Sequence, residues 1–392
     1  MEKAKTPFHL MIKPRGPICN LACEYCYYLP KTRLYPNSNF RMSPRLLEDF
    51  TRQMFAAQPG LQADFTWQGG EPTLMGLDFF KEAVRLQKKY APPGVRVTNA
   101  LQTNGTKITP AWCRFFKENN FLIGLSLDGP PEIHNAFRYS VSGRQQFDSA
   151  MRAVRLLKGH GVDLNILSCV HKANQDHPLE VYRFLRDRVG AQFIQFIPII
   201  QRELDPRGRE MAAVTERSVK AEAYGQFLVS VFDEWVQNDV GKVFVQIFDV
   251  ALGIYTGRPA SLCVFAETCG RAMVLEHNGD LFACDHFVDP EHLLGNLAER
   301  PLNEMVDSDT QMSFGRAKLD KLPQVCLDCE VRFLCNGGCP RNRDEKGLNL
   351  LCEGYMSFFR HIDAPMRTMR ELLSKQRPPS EIMCLHRYEA EG

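Results

Sequence analysis

Charge of one sign is nearly missing from this 392-residue sequence: 48 basic residues face 46 acidic ones, leaving a formal charge of +2. A chain so balanced carries no electrostatic footprint for nucleic acid, and none is expected as a partner. No apolar run approaches the roughly 18 residues that a membrane span needs, so no membrane partner is expected either. Low-complexity segments are lacking, and the strand-rich first half shows no internal repeat. With 27 Gly, 24 Pro and 44% apolar residues, a collagen-like or mainly disordered chain is excluded. The opening Met1-Glu2-Lys3-Ala4-Lys5 is charged and leads straight into a strand-like run, which is not the pattern of a secretory signal. A soluble, cytoplasmic protein is expected.

Cysteine is what the sequence has in quantity. Its 14 residues are too sparse for a disulfide scaffold in a chain of this length. In a reducing compartment they remain thiols or thiolates, which makes metal ligation the leading explanation. Their placement agrees. Cys19, Cys23 and Cys26 lie within eight residues, eight more crowd between positions 263 and 352, and only Cys113, Cys169 and Cys384 stand apart.

The first 200 residues alternate β-rich runs with amphipathic helical stretches. The strands expected are His9–Lys13, Asp64–Gln68, Arg96–Thr103, Leu122–Leu127, Asp163–Val170 and Phe193–Pro198. Helical spacing covers Pro44–Ala57, Asp78–Tyr90, Pro110–Asn119, Arg144–His160 and Pro178–Arg188. Ser43-Pro44 and Thr109-Pro110 each offer an N-cap followed by proline at the first helical position. Such alternation implies right-handed βαβ units and a parallel sheet, either a partial (β/α)6 barrel or an open doubly wound sheet. Gln201 to about Val214, with Asp205-Pro206-Arg207-Gly208, reads as a loop, and a long helix follows from about Ser218 to Gln237. Past Leu262 come short segments, turns and cysteines, the texture of a small domain organised by metal. A helical stretch, about Tyr355 to Lys375, closes the fold before a polar tail. Consecutive domains are expected at 1–217, 218–262 as a helical connector, 263–375 and the tail 376–392.

Cys19, Cys23 and Cys26 form C-x3-C-x2-C just after the first strand. Three thiolates on one loop can hold three corners of a cubane cluster and leave the fourth iron open; a three-thiolate zinc site is the alternative. This motif resembles the signature of radical S-adenosylmethionine enzymes. Gly69-Gly70-Glu71-Pro72, after the second strand, is similar to that superfamily's GGEP motif, whose backbone holds the cofactor's amino group. The resemblance implies a partial (β/α)6 TIM-like barrel with a C-terminal cysteine-rich iron–sulfur domain. It further implies that Tyr25, Gly70, Ser126 (in Ser126-Leu127-Asp128-Gly129), Arg138 and Ile199 contact the cofactor. The physical chemistry is consistent: each position is expected where a strand runs out, at the rim of a parallel barrel. Glycine lets backbone N–H groups approach a ligand, and an arginine fork suits a carboxylate.

Cys326, Cys329, Cys335 and Cys339 read C-x2-C-x5-C-x3-C, with Cys352 beyond, and Cys263, Cys269 and Cys284 lie upstream. Two structural zinc sites would also use eight cysteines. The order is similar to the SPASM domain of radical peptide-modifying enzymes, which carries two auxiliary [4Fe–4S] clusters. That resemblance implies that Cys263, Cys269, Cys284 and Cys339 hold one, and Cys326, Cys329, Cys335 and Cys352 the other. Cys113 and Cys169 read as buried small hydrophobes and Cys384 as incidental. His277, His286 and His292 read as polar loop residues, and the aromatic and aliphatic stripe over Phe232–Phe248 as core.

Within that group the chain resembles the anaerobic sulfatase-maturating enzymes, through Cys19 to Tyr28, Thr66-Trp67-Gln68-Gly69-Gly70-Glu71-Pro72, Gln102-Thr103-Asn104-Gly105 and Cys284-Asp285-His286. The resemblance implies three [4Fe–4S] clusters, S-adenosyl-L-methionine, and oxidation of a Cys or Ser in a sulfatase C/S-x-P-x-R segment to Cα-formylglycine. Asp285 would be the proton acceptor; by its sequence alone it is equally a carboxylate that shapes the turn, or a partner for His286. A sulfatase polypeptide and a low-potential flavodoxin- or ferredoxin-like electron donor are the implied partners. Other readings are a SPASM maturase forming thioether or carbon–carbon cross-links, and an iron–sulfur electron carrier or zinc-stabilised module. The maturase reading is weakened because no precursor-binding domain precedes residue 9.

Overall fold

A computed structural model describes residues 2–205 and 210–384. In chain order the first elements are β1 (His9–Lys13), α1 (Pro44–Ala57), β2 (Gln62–Trp67), α2 (Leu77–Tyr90), β3 (Arg96–Thr103), α3 (Pro110–Glu118) and β4 (Phe121–Ser126). There follow α4 (Pro131–Phe137), α5 (Phe147–Gly159), β5 (Asp163–Val170), α6 (Pro178–Arg183), β6 (Phe193–Pro198), β7 (Arg202–Leu204) and β8 (Glu210–Val214). Next come α7 (Ala221–Asn238), β9 (Phe244–Val245), α8 (Gln246–Tyr255), β10 (Ala272–Glu276), β11 (Asp280–Phe282) and β12 (Leu293–Asn296). The last are α9 (Leu302–Val306), α10 (Asp309–Asp320), α11 (Gln324–Leu327), α12 (Arg332–Cys335), α13 (Cys352–His361) and α14 (Asp363–Ser374). Two compact units share the chain, and neither is continuous in sequence.

The first unit comprises Met1–Ser126, Arg138–Leu164 and Cys269–Ala317. Its strands run in the order β12-β11-β10-β1-β2-β3-β4. β10 and β1 to β4 are parallel, and β11 and β12 are antiparallel additions. Met11, Thr66, Ala100 and Leu122 stand at one level across β1 to β4. The loops after all four strands therefore open on one edge, where parallel α/β folds place their chemistry. Inward residues form the core: Leu10, Ile12, Phe65, Trp67, Leu101 and Leu125 are buried. Ser43 Oγ caps α1 by accepting from Leu46 N (3.1 Å), and Pro44 opens it. Phe50 on α1 then meets Phe65 edge-on at 5.7 Å; burying each ring contributes about 1.5–3 kcal/mol. Thr109 precedes α3 as expected but makes no side-chain cap bond.

The second unit comprises Leu127–Phe137, Asn165–Thr268 and Lys318–Gly392. In it β6 pairs in parallel with both β5 and β9. Helix α7 packs on α13 so closely that a Cβ on Gly354 would lie 2.1 Å from Ala221 O. Phe232, Trp235 and Phe248 form a buried aromatic cluster with Phe358, the core expected for that stripe. The loop expected after Gln201 is instead a two-stranded antiparallel ribbon, β7 with β8. Its strands bury neither face, and Arg202-Glu203-Leu204 and Glu210-Met211-Ala212-Ala213-Val214 lack the hydrophobic alternation that marks a half-buried strand. Pro206-Arg207-Gly208 lies outside the described residues, as does the tail from 385 on. Helix α6 runs into a π-helical turn, Phe184–Val189, and the closing helix is broken into α13 and α14 at Ile362. Among the described residues no helix is long and apolar enough to cross a membrane.

Candidate radical and auxiliary-cluster sites

Cys19, Cys23 and Cys26 sit on the loop after β1. The loop doubles back, with Cys26 N donating to Cys23 O (3.1 Å) and Ala22 N to Tyr139 O (2.8 Å). Burial above all, then Glu71 and the neighbouring Cys23 and Cys26 sulfurs, pushes the Cys19 pKa up to about 12, against a bond from Leu21 N. Three thiols so gathered suit a polynuclear centre, because bound iron stabilises thiolates that burial disfavours.

Gly69-Gly70-Glu71-Pro72 seats against this loop. Gly70 N donates to Gly16 O (2.7 Å) and Glu71 N to Ile18 O (3.0 Å). A Cβ on Gly70 would lie 2.1 Å from Ile18 O, so glycine is required here by close approach. The expectation that glycine brings N–H groups to the ligand is corrected: the Gly70 N–H is taken by Gly16. Its carbonyl is what it can offer, which is the group that an amino ligand needs. Glu71 turns inward and is fully buried. It accepts from Thr73 N (3.0 Å), Thr73 Oγ1 (2.5 Å), Thr103 Oγ1 (2.8 Å) and Asn104 N (2.8 Å). Burial raises its pKa despite these bonds.

Ser126 ends β4 and its Oγ accepts from Gln102 Nε2 (3.0 Å). Buried Arg138 stacks its guanidinium over the Tyr25 ring at 5.3 Å, which brings those two expected contacts together. Arg138 follows α4, not a strand end as expected. Ile199, after β6, belongs to the second unit, where its N–H bonds to Val170 O (2.9 Å).

Asp285, directly after Cys284, is 6% exposed. Its Oδ1 lies 2.5 Å from Lys13 Nζ, an ion pair without hydrogen-bond angles, and its Oδ2 accepts from the Tyr27 hydroxyl. Burial raises its pKa, but Lys13, His286 and the Tyr27 bond outweigh it, and the pKa falls below the usual carboxylate value. The carboxylate is thus ionised at neutral pH. Lys13 itself is buried, bonded to Gln68 Oε1 (3.2 Å) and 4.4 Å above the Tyr28 ring. The Tyr28 hydroxyl donates to Glu276 on β10. The sequence reading gave no role to Lys13, Gln68 or Glu276, and took Tyr27 only as an aromatic flanking the cysteine loop. A lysine directly after the apolar run Leu10-Met11-Ile12 was the one available signal.

Cys326, Cys329, Cys335 and Cys352 line one cavity of about 510 Å³ in the second unit, with Val331, Leu348 and Met356. Burial first, then the Cys352, Cys326 and Cys329 sulfurs, pushes the Cys335 pKa up to about 12. The space and its donors fit a cluster held by four thiolates. In the same unit Cys263 loses solvation and feels the Cys339 sulfur, both raising its pKa, while Lys318 opposes them. Cys269 and Cys284 belong to the first unit. Among the described residues no group of three His, Cys, Asp or Glu side chains is placed to hold one metal ion. Of the remaining residues, Cys113 is buried as expected, Cys169 is only half-buried and Cys384 is exposed. His277 lies in the turn after β10, as a loop residue should, but it is buried between Tyr35 and Phe40, with Nε2 2.7 Å from Ser38 Oγ.

Residues 14–185 match the Radical SAM superfamily, and residues 263–330 match SPASM, an iron–sulfur cluster-binding domain. The chain is 44% identical to a serine-type anaerobic sulfatase-maturating enzyme of Bacteroides thetaiotaomicron, across 96% of this chain and 94% of that one. The chain belongs to the anaerobic sulfatase-maturating enzymes. A cysteine-type enzyme of Clostridium novyi is 34% identical over 89% of this chain and 94% of its own. The solved structure of native anSMEcpe with bound AdoMet superposes with a TM-score of 0.84 at 33% identity, covering 93% of this chain and all (100%) of that one. The fold is accordingly the radical S-adenosylmethionine α/β type with a C-terminal SPASM domain. This sulfatase-maturating enzyme uses [4Fe–4S] clusters and S-adenosylmethionine.

Proposed function

We propose that this enzyme matures sulfatases by converting a serine in an S-x-P-x-R segment to Cα-formylglycine, with Asp285 as the proton acceptor. The observation that carries it is the buried Asp285 carboxylate, held by Lys13 and by Tyr27 of the cysteine loop. Greater identity to the serine-type than to the cysteine-type relative supports serine as the target.

When bound, S-adenosylmethionine and the clusters would supply hydrogen-atom abstraction at the target Cβ and a sink for the electron that the oxidised carbon gives up. Cys19, Cys23 and Cys26 hold the first cluster. Cys263, Cys269, Cys284 and Cys339 hold one auxiliary cluster, and Cys326, Cys329, Cys335 and Cys352 the other, three in all. The Gly70 carbonyl takes the cofactor's amino group, Arg138 its carboxylate, and Tyr25, Ser126 and Ile199 complete the contacts. Asp285 removes the serine hydroxyl proton, and Lys13 keeps it ionised for that task. Loss of one hydrogen atom, one proton and one electron turns the alcohol into the aldehyde. A low-potential flavodoxin- or ferredoxin-like protein supplies the electron for the first step, in the cytoplasm.

The test is mass spectrometry of peptides containing S-x-P-x-R or C-x-P-x-R, incubated anaerobically with the reduced, reconstituted enzyme and S-adenosylmethionine. The serine peptide should lose two hydrogens. Abundant 5′-deoxyadenosine with neither peptide altered would overturn the substrate assignment.

A further inference from the structure

A ring of hydrogen bonds beside Cys19 has no part in the scheme above. Asn104 follows β3 in the sharp turn Thr103-Asn104-Gly105, where Gly105 has φ +78°. Its Oδ1 accepts from Thr106 N (3.0 Å) and Thr106 Oγ1 (2.7 Å). A backbone N–H can only donate, so this pair of bonds fixes the orientation of the side-chain amide. The Asn104 Nδ2 group is then turned to the other side, where it lies 3.6 Å from Cys19 Sγ and 3.1 Å from Asn20 Oδ1. Asn20 Nδ2 donates in turn to Thr106 Oγ1 (2.8 Å), which closes the ring. The Asn104 N–H, bonded to Glu71 Oε2, anchors the turn to buried Glu71.

We propose that Asn104 is a positioning residue for the radical cluster: its fixed amide N–H donates to the Cys19 sulfur and raises the cluster's reduction potential. The inference rests on Cys19 being a cluster ligand, as read above. One electron from the reductant makes the cluster more negative. A donor on a ligating sulfur stabilises that reduced form more than the oxidised one. Partners of this kind around a metal ligand also fix its orientation.

The experiment uses the full-length, anaerobically reconstituted enzyme with Asn104→Leu and Asn104→Asp. Potentiometric titration followed by electron paramagnetic resonance reads the one cluster signal that added S-adenosylmethionine perturbs. Asn104→Leu removes the donor at nearly constant size. About a tenfold shift of the reduction equilibrium toward the oxidised form is expected, a potential more negative by about 59 mV. Asn104→Asp keeps the oxygen that Thr106 binds, and so the turn, while putting an acceptor where the donor was. Its potential should fall at least as far, with iron content unchanged. In Asn104→Asp the lost donor and the added charge act in the same direction, so a wild-type potential there overturns the proposal, as does an unshifted potential in Asn104→Leu with full iron. Should Asn104→Leu lose iron, Asn104→Asp carries the measurement. Cys19→Ala is the separate control: unchanged iron and an unchanged signal there would overturn the ligand assignment itself, whatever Asn104 does.

Discussion

Replacing Gly70 by alanine adds one methyl group where the fold has no room for it. The new Cβ would stand 2.1 Å from Ile18 O, 2.4 Å from Ile18 C and 2.7 Å from Pro17 C, all backbone atoms that no rotamer change can move. To relieve the clash, the GGEP turn must separate from the cysteine loop, stretching Gly70 N to Gly16 O and Glu71 N to Ile18 O. Overpacking of this kind costs about 1–3 kcal/mol and each lost hydrogen bond about 0.5–1.5 kcal/mol, together about 2–6 kcal/mol. Ile18 adjoins Cys19, so the same displacement misplaces the proposed cluster ligand. Gly60→Ala is the control, since nothing lies within 4 Å of its added Cβ; it should change stability by no more than about 1 kcal/mol, and in the favourable direction. Urea unfolding of both variants, with iron per chain measured alongside, makes the comparison. A Gly70→Ala enzyme with the wild-type midpoint and full iron would refute the reasoning.

Asp285→Asn keeps the Tyr27 bond but strands the buried Lys13 ammonium, which should cost about 3–5 kcal/mol in thermal or denaturant unfolding. Adding Lys13→Met should restore stability, while formylglycine yield stays down about a hundredfold or more and 5′-deoxyadenosine still forms; a wild-type yield in either variant would remove Asp285 as the base. Arg138→Ala should weaken S-adenosylmethionine binding, measured by equilibrium titration, with iron unchanged; unaltered affinity would take Arg138 out of the site. Iron analysis of anaerobically reconstituted enzyme should find about twelve atoms per chain, and replacing Cys19, Cys23 and Cys26 together by alanine should remove about four. Zinc in place of iron would contradict that count.

The parallel α/β class was legible because it rests on local signals. The limits of β1, β3, β5 and β6 were read directly from apolar runs bounded by turns, and α1 from Ser43-Pro44. The cysteine loop was legible for a related reason: its three cysteines lie within eight residues, so spacing alone brings them together. Cys326, Cys329 and Cys335 share that advantage, and the fold adds Cys352 to their cavity. The exposed ribbon β7–β8 was missed because a strand pair that buries neither face has no hydrophobic alternation to read.

What the sequence by itself determined is therefore the class of fold and the grouping of the cysteines on short loops. Tertiary structure alone decided the surroundings of the reacting groups. Lys13 and Asp285 are 272 positions apart and meet because β10 pairs in parallel with β1, while the loop after β11 returns Asp285 to the edge where β1 ends. Gly70 needs to be glycine because of Ile18, and Asn104 faces Cys19 because Thr106 holds its oxygen. No periodicity records such pairings. They depend on angstrom-scale approach between loops distant in sequence, and only the assembled sheet fixes where those loops meet.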